Sequence, residues 1–328
     1  MKPRAFQALA ALSVVAAMYA YPALAENASA EWPTRPIRVL VPFPPGGNMD
    51  NLTRLIGASM SSTLGATIVV ENKPGGTGQV ATDILVRSAP DGYTFMMAPA
   101  STFSRLPFLQ KLPFDAETDV EAIAGVAGYV PVLAVTKDLG VNSLPELIQL
   151  AKQKPGTLSY GSVGPSSESH INSEILKAVA DIDVLHVPFK GSAHSLTALL
   201  GGHIDMLIDG VTVSAAKDNR VIPLAAFYGE RHPELPDVPT ANESGIEVRI
   251  QSASTFGMFA PKGVPEPIRQ KLAAAIELAI KDPENVKRLQ GMSLMPAWMP
   301  ADDFRAAIQE DTEFNRAFLE GIGLTQQR

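Results

Sequence analysis

The chain has 328 residues, 46% of them hydrophobic, with 27 Lys and Arg against 34 Asp and Glu, a formal net charge of -7. This is globular composition, too apolar for a disordered chain, and an acidic balance without a basic block repels nucleic-acid phosphates. With no cysteine, disulfide frameworks, thiol nucleophiles, zinc-thiolate sites, iron–sulfur clusters and a cysteine-anchored lipoprotein are excluded.

The chain opens with the layout of a secretory signal. Lys2 and Arg4 form a short basic region, an uncharged apolar stretch runs from Ala5 to Ala20, and Tyr21-Pro22-Ala23-Leu24-Ala25 ends in the A-x-A pattern. Residues 1–25 are therefore expected to be a signal peptide, cut after Ala25. No later segment offers the roughly 18 apolar residues that a spanning helix needs. The expected product is an exported protein, periplasmic in a cell with two membranes.

Short β-branched runs then alternate with amphipathic helices. Residues 37–41 read as a buried strand, stopped by Pro42-Phe43-Pro44-Pro45-Gly46-Gly47. A helix to Leu64 follows, with Leu52, Leu55, Ile56 and Met60 on one face. Residues 67–71 are the next strand, then Pro74-Gly75-Gly76-Thr77-Gly78 and a helix to Ser88, and residues 93–97 are a third strand. Such a rhythm implies a parallel sheet with helices on both faces. The rhythm repeats: strands at 132–135, from 158, at 184–187 and at 204–208, with helices at 144–154, up to Ala180 and after Gly191. A third region resumes at 256–260 and ends in helices at 265–281, 283–290 and 300–319, the last with a charged, solvated face. Two α/β lobes are more economical than one very wide sheet.

Three strand-to-helix loops combine Gly, Pro and small hydroxyl residues. In open parallel sheets ligands sit beyond the carboxyl ends of the strands, where helix N-termini offer unpaired N–H groups and a positive dipole end. The first loop supplies Phe43, Pro45, Gly46, Gly47 and Asn48, with Asp50 placed to cap or to meet a ligand ammonium. Gly76, Thr77 and Gly78 form a second cradle, and Ser162, Ser166 and Ser167 a third, with His170 beside it. Gly76-Thr77-Gly78-Gln79-Val80-Ala81 matches G-x-G-x-x-A, but it follows the second strand and lacks an acidic residue at a later strand end, so NAD is not expected. Neither G-x-S-x-G, a P-loop nor H-E-x-x-H is present. A Ser167–His170–Asp209 hydrolase is conceivable, although triads are defined by geometry. His194 and His203 lack metal-ligand spacing, and no metal or organic cofactor is indicated.

Several motifs recur in order: Pro42-Phe43-Pro44-Pro45-Gly46-Gly47 with Asp50, Val70-Glu71-Asn72-Lys73-Pro74-Gly75 and Ala89-Pro90-Asp91-Gly92-Tyr93. His186-Val187-Pro188-Phe189-Lys190-Gly191, Gly201-Gly202-His203-Ile204-Asp205, Leu235-Pro236-Asp237-Val238-Pro239-Thr240 and Phe259-Ala260-Pro261-Lys262-Gly263-Val264-Pro265 follow. Together they resemble the Bug family, the extracytoplasmic substrate-binding proteins of tripartite tricarboxylate transporters.

The resemblance implies an α/β, type II periplasmic binding-protein fold: two lobes joined by hinge strands, with a ligand cleft between them. It places residues 31–129 with 256–328 in one lobe and 130–255 in the other, with hinges near 129–132 and 252–256. It implies that backbone amides of residues 43–48 and 76–78 hold a small carboxylate, with Ser101 and Thr102 in a further contact region. A membrane permease would be the partner, and a monomer is expected. The chain departs from the family pattern at Thr77, at Pro165 and at Arg105-Leu106-Pro107. Arg105, pointing inward, would favour a second carboxylate; a surface position is the simpler expectation. A sensor for a membrane signalling partner is the alternative function, with an exported serine hydrolase behind it.

Overall fold

The computed structural model describes residues 32–165, 167–247 and 255–321. The expected signal peptide, Ser166 and residues 252–254 of the expected second hinge lie outside the described residues.

Strand β1 (Ile37–Val41) is buried on nearly every position and ends where Pro42 removes a backbone donor. It pairs in parallel with β2 (Ile68–Asn72) and β3 (Thr94–Pro99) on its two sides. The intervening crossovers are α1 (Asn48–Leu64), closed by Gly65 in the left-handed conformation, and α2 (Gln79–Val86). Two four-residue helices, α3 (Ser101–Ser104) and α4 (Leu106–Leu109), lead towards β4 (Val120–Gly128). The chain then passes into a second sheet: β5 (Val132–Val135), α5 (Leu144–Gln153), β6 (Ser159–Ser162), α6 (Glu168–Ala180) and β7 (Leu185–Pro188). It continues with α7 (Ser192–Leu200), β8 (Met206–Asp209), α8 (Thr212–Lys217) and β9 (Ile222–Ala226). The return passes through β10 (Thr255–Pro261), α9 (Glu266–Lys281), α10 (Pro283–Gly291), β11 (Met295–Pro300) and α11 (Ala301–Gly321).

The strand orders are β11-β4-β10-β3-β1-β2 and β7-β6-β8-β5-β9. Neither sheet is wholly parallel, which corrects the reading from periodicity. β10 is antiparallel to both β3 and β4, β11 is antiparallel to β4, and β5 is antiparallel to β8 and β9. A strand that re-enters the first sheet from the second arrives from the opposite end, and local hydrophobic period carries no record of that direction.

Each sheet separates two apolar layers. In the first, Ile56, Met60, Phe95, Met258 and Ile276 fill one face, and Leu85, Phe103, Phe259 and Phe304 the other. In the second, Leu147, Tyr160 and Leu176 pack on one face and Leu199, Ile204 and Leu207 on the other. Burial of one such side chain contributes about 1.5–3 kcal/mol. The C-terminal helix belongs to both units: Phe304 near its start is buried in the first, whereas Leu319 near its end is buried in the core cluster of the second. Between them Asp311 accepts from Ser104 and Asn315 accepts from Nε of Arg105 at 3.0 Å. Asp311 is buried, so the expectation of a uniformly solvated helix face fails there.

Candidate ligand-binding cleft

The loop after β1 is locked by its own side chains. Gly46 takes φ 84°, a left-handed conformation that glycine adopts without strain, and its N–H donates to Asp50 at 2.9 Å. Asp50 also accepts from Arg54 at 3.0 Å and from Asn72 at 2.9 Å, while Asn72 donates onward to the Phe43 carbonyl at 3.0 Å. Burial pushes the Asp50 carboxyl up, but the hydrogen bonds from Arg54, Gly46 and Asn72 outweigh it and hold it below its ordinary range. Asp50, placed by the sequence either to cap or to meet a ligand ammonium, thus braces the loop and is not among the residues lining the cavity. The braced loop delivers Gly47, the N-cap of α1, which has no side chain to satisfy the first amides of this 17-residue helix. The second loop crosses beside it. Thr77 takes φ 52°, and a Cβ on Gly78 would stand 3.0 Å from Cγ2 of Thr102, so the turn packs on the start of α3.

Opposite stand the carboxyl ends of the second sheet's parallel strands. After β6, Ser167 caps α6: its Oγ accepts from the His170 N–H at 3.3 Å and donates to the Gly164 carbonyl at 2.6 Å. After β7, residues Lys190–His194 reach the cleft, and β8 ends on Asp209. Asp209 accepts from Ser192 Oγ at 2.9 Å and from the Val211 N–H at 3.1 Å. Burial raises its pKa, with those donors pulling the other way. Tyr129, just past β4, lies against this wall: a Cβ on Gly210 would come within 2.7 Å of its ring, and Phe256 packs beside it at 5.3 Å between centroids. The Tyr129 hydroxyl donates to Glu168 at 2.7 Å. Burial, and then the charges of Glu168 and Asp209, raise the phenol well above its ordinary pKa, so it stays a donor.

Between these walls lies a cavity of about 210 Å³. From the first lobe it is lined by Phe43, Pro44, Pro45, Gly46, Gly47, Asn48, Met49, Thr77, Ser101 and Thr102, with Pro99, Leu106 and Phe256. Tyr129 and, from the second, Val163, Ser167, Glu168, Ser169, residues 190–194 and Asp209 complete it. The structure therefore brings ten of the sequence-selected residues to one place: Phe43, Pro45, Gly46, Gly47, Asn48, Thr77, Ser101, Thr102, Ser167 and Asp209. Gly76, Gly78, Ser162 and His170 stand outside the lining, and Ser166 lies outside the described residues. Ser162 is buried against His186, Oγ to Nε2 2.6 Å, and His170 packs on the His186 ring at 4.3 Å between centroids. Sequence reasoning missed Tyr129, Glu168, Ser169, Lys190, Ser192 and Phe256 as cleft residues.

Thr77 also spans the mouth of the cleft, donating to the Pro165 carbonyl at 3.0 Å. Arg105 is not at the surface: it is 4% exposed, held by Asn315 behind the cleft. A hydrolytic arrangement does not form. The Ser167 hydroxyl is spent on its own loop, Asp209 on Ser192 and Val211, and His170 meets Ser167 through its backbone amide. Among the described residues no group of three or more His, Cys, Asp or Glu could hold a metal, and no helix is long and apolar enough to cross a membrane.

Two α/β lobes closing on a cleft at the carboxyl ends of their strands define a periplasmic binding protein of type II architecture. Residues 52–324 match the family described as tripartite tricarboxylate transporter family receptor. A protein of Cupriavidus necator, described as the UPF0065 protein in the gbd 5' region, is 33% identical over 328 residues, 99% of each chain. The solved periplasmic binding protein BugD is 29% identical with a TM-score of 0.82, over 90% of this chain and 100% of BugD. R. palustris Rpa4515, solved with adipate, is 28% identical with a TM-score of 0.84, over 90% of this chain and 99% of that one. The chain belongs to the tripartite tricarboxylate transporter receptor family, the Bug proteins. At family level these are solute-binding proteins rather than enzymes.

Proposed function

We propose that this chain is an exported receptor that captures a small organic carboxylate between its lobes and hands it to a tripartite tricarboxylate-type permease. One observation carries the reading: the uncapped N-terminus of α1 lines a cleft whose first-lobe wall has no charged side chain. Helix-terminal amides and dipole supply positive potential without a cation. That is what an acidic protein with a net charge of -7 needs in order to hold an anion. Rpa4515, of similar fold, was solved with adipate, which supports an acid as the ligand class.

In this reading residues 1–25 are removed on export and the mature protein is a periplasmic monomer. Residues 31–129 with 256–328, and 130–255, are the two closing bodies, hinged near residues 129–132 and 252–256. Gly46, Gly47, Asn48, Thr77, Ser101 and Thr102 bind the carboxylate. Thermal unfolding of residues 26–328 against mono-, di- and tricarboxylates, amino acids and aromatic acids tests it. An acid at 100 times its Kd adds about 2.7 kcal/mol. The expected result is a raised melting temperature confined to one class of acid. Ligand-free, folded protein that responds to no acid overturns the reading.

A further inference from the structure

Charge is distributed unequally around the cavity. Its first-lobe lining is uncharged, and its one lysine, Lys190, is exposed. The buried part of the second-lobe wall carries two carboxylates, Glu168 and Asp209, each 7% exposed. A ligand whose far end were a second carboxylate would meet like charge away from bulk water, where Coulomb repulsion is weakly screened. An ammonium group there meets attraction instead. Aromatic side chains reinforce the same preference: Tyr129 and Phe256, paired at 5.3 Å, line the cavity with Phe43, and ring faces attract cations.

We propose, building on the carboxylate-capture reading, that Glu168 is the specificity-determining residue and selects acids that also carry an ammonium group, amino acids or betaines. Tyr129 donates a hydrogen bond to Glu168 at 2.7 Å and so helps to hold it in the wall. A carboxylate has about four acceptor positions, and its charge attracts a primary and a quaternary ammonium alike. Asp209, whose oxygens accept from Ser192 and Val211 within its own lobe, is the second acidic group of that wall.

Calorimetric titration of the mature protein and of Glu168→Gln with matched pairs decides the matter. The pairs are L-alanine with propanoate, L-glutamate and 5-aminopentanoate with glutarate, and glycine betaine with its carbon isostere 3,3-dimethylbutanoate. In at least one pair the ammonium compound should bind about tenfold or more tightly, the scale of a hydrogen bond to a charged group. Glu168→Gln should collapse that ratio while leaving or improving the plain acid. A purely structural Glu168 would weaken both members equally, and that result overturns the proposal. So does a wild-type protein that prefers the plain acid in every pair, whatever the variant does. If neither kind of acid binds, carboxylate capture itself fails, a different outcome from reversed selectivity.

Discussion

The two walls of the cleft are built by opposite means. The first lobe presents backbone: a glycine-started helix whose entry loop is braced by Asp50 and Asn72, a left-handed Thr77, and beside them the hydroxyls of Ser101 and Thr102. The second presents ionisable side chains, Glu168 and Asp209 in the buried wall with Lys190 and His194 at the rim, and its partner Tyr129 is planted against Gly210. A backbone wall recognises one thing, an anion, and tolerates little change. A side-chain wall can be retuned by single substitutions. Affinity should therefore reside in the first wall and selectivity in the second.

The largest contrast expected is in acid. His170 is pushed down to about 4, first by burial and then by the neighbouring charges of His186, Lys177 and Arg105, which outweigh the upward pull of Glu174. Its pKa is lowered in the fold, so the unfolded chain binds the extra proton between pH 6.5 and 4. Stability is complete above that window and falls through it, by less than the full shift would give because the ring is partly open to screening solvent. Hydrogen exchange of β6 and β7 should accelerate at pH 4.5 well beyond that of β1 and β3, and His170→Phe should remove the difference. Equal acceleration in both sheets breaks the comparison.

Next comes Gly47→Leu. A Cβ there meets nothing closer than the Pro44 carbonyl at 3.8 Å, and φ is -79°, so the fold accepts a side chain that the cavity does not. Loss of acid binding by about 100-fold, or 2.7 kcal/mol, with an unchanged melting temperature is expected in a ligand titration. Unaltered affinity would remove the helix terminus from the site. Tyr129→Phe removes one donor from a buried carboxylate and should cost about tenfold in affinity, the scale of a hydrogen bond to a charged group. The smallest effect belongs to Thr77→Val, which deletes the bond to Pro165 across the mouth. About fivefold faster ligand release in stopped flow, without slower capture, is the outcome expected for a bond worth about 1 kcal/mol.

The backbone wall was legible in the sequence because its constraints are local. Pro42 to Gly47 cannot be strand or helix, and only such loops between a strand and a helix leave amides unpaired. The side-chain wall was largely hidden. Tyr129, Glu168 and Phe256 come from three separated segments, and nothing in any one of them marks a neighbour of the others. Asp50 looked functional and is a brace. His170 follows the serine-rich loop, yet its ring packs at a tilt against His186 and is not part of the cavity lining. Arg105 was expected outside because arginines usually are, whereas Asn315, from the distant C-terminal helix, supplies its buried partner.

The same divide ran through the fold. α1 announced itself by spacing, but β4 did not, since Ala122, Ala124, Gly125 and Ala127 have little strand preference and are buried by their neighbours alone. β11 hid behind Pro296 and Pro300, tolerated because the strand lies at the sheet edge.

The position of β10 also sets a timetable for the nascent chain. This strand sits between β3 and β4, yet it is made only after every strand of the second sheet. The second sheet is contiguous in sequence and can close on itself as soon as β9 emerges. The first must wait with β3 as an open edge and β4 unpaired on both sides, each able to pair wrongly with another chain. A chaperone that holds the unfinished protein would be needed most in that interval, and a chain truncated before Thr255 would keep all the strands of its second sheet while β4 stood apart from the sheet of β1, β2 and β3.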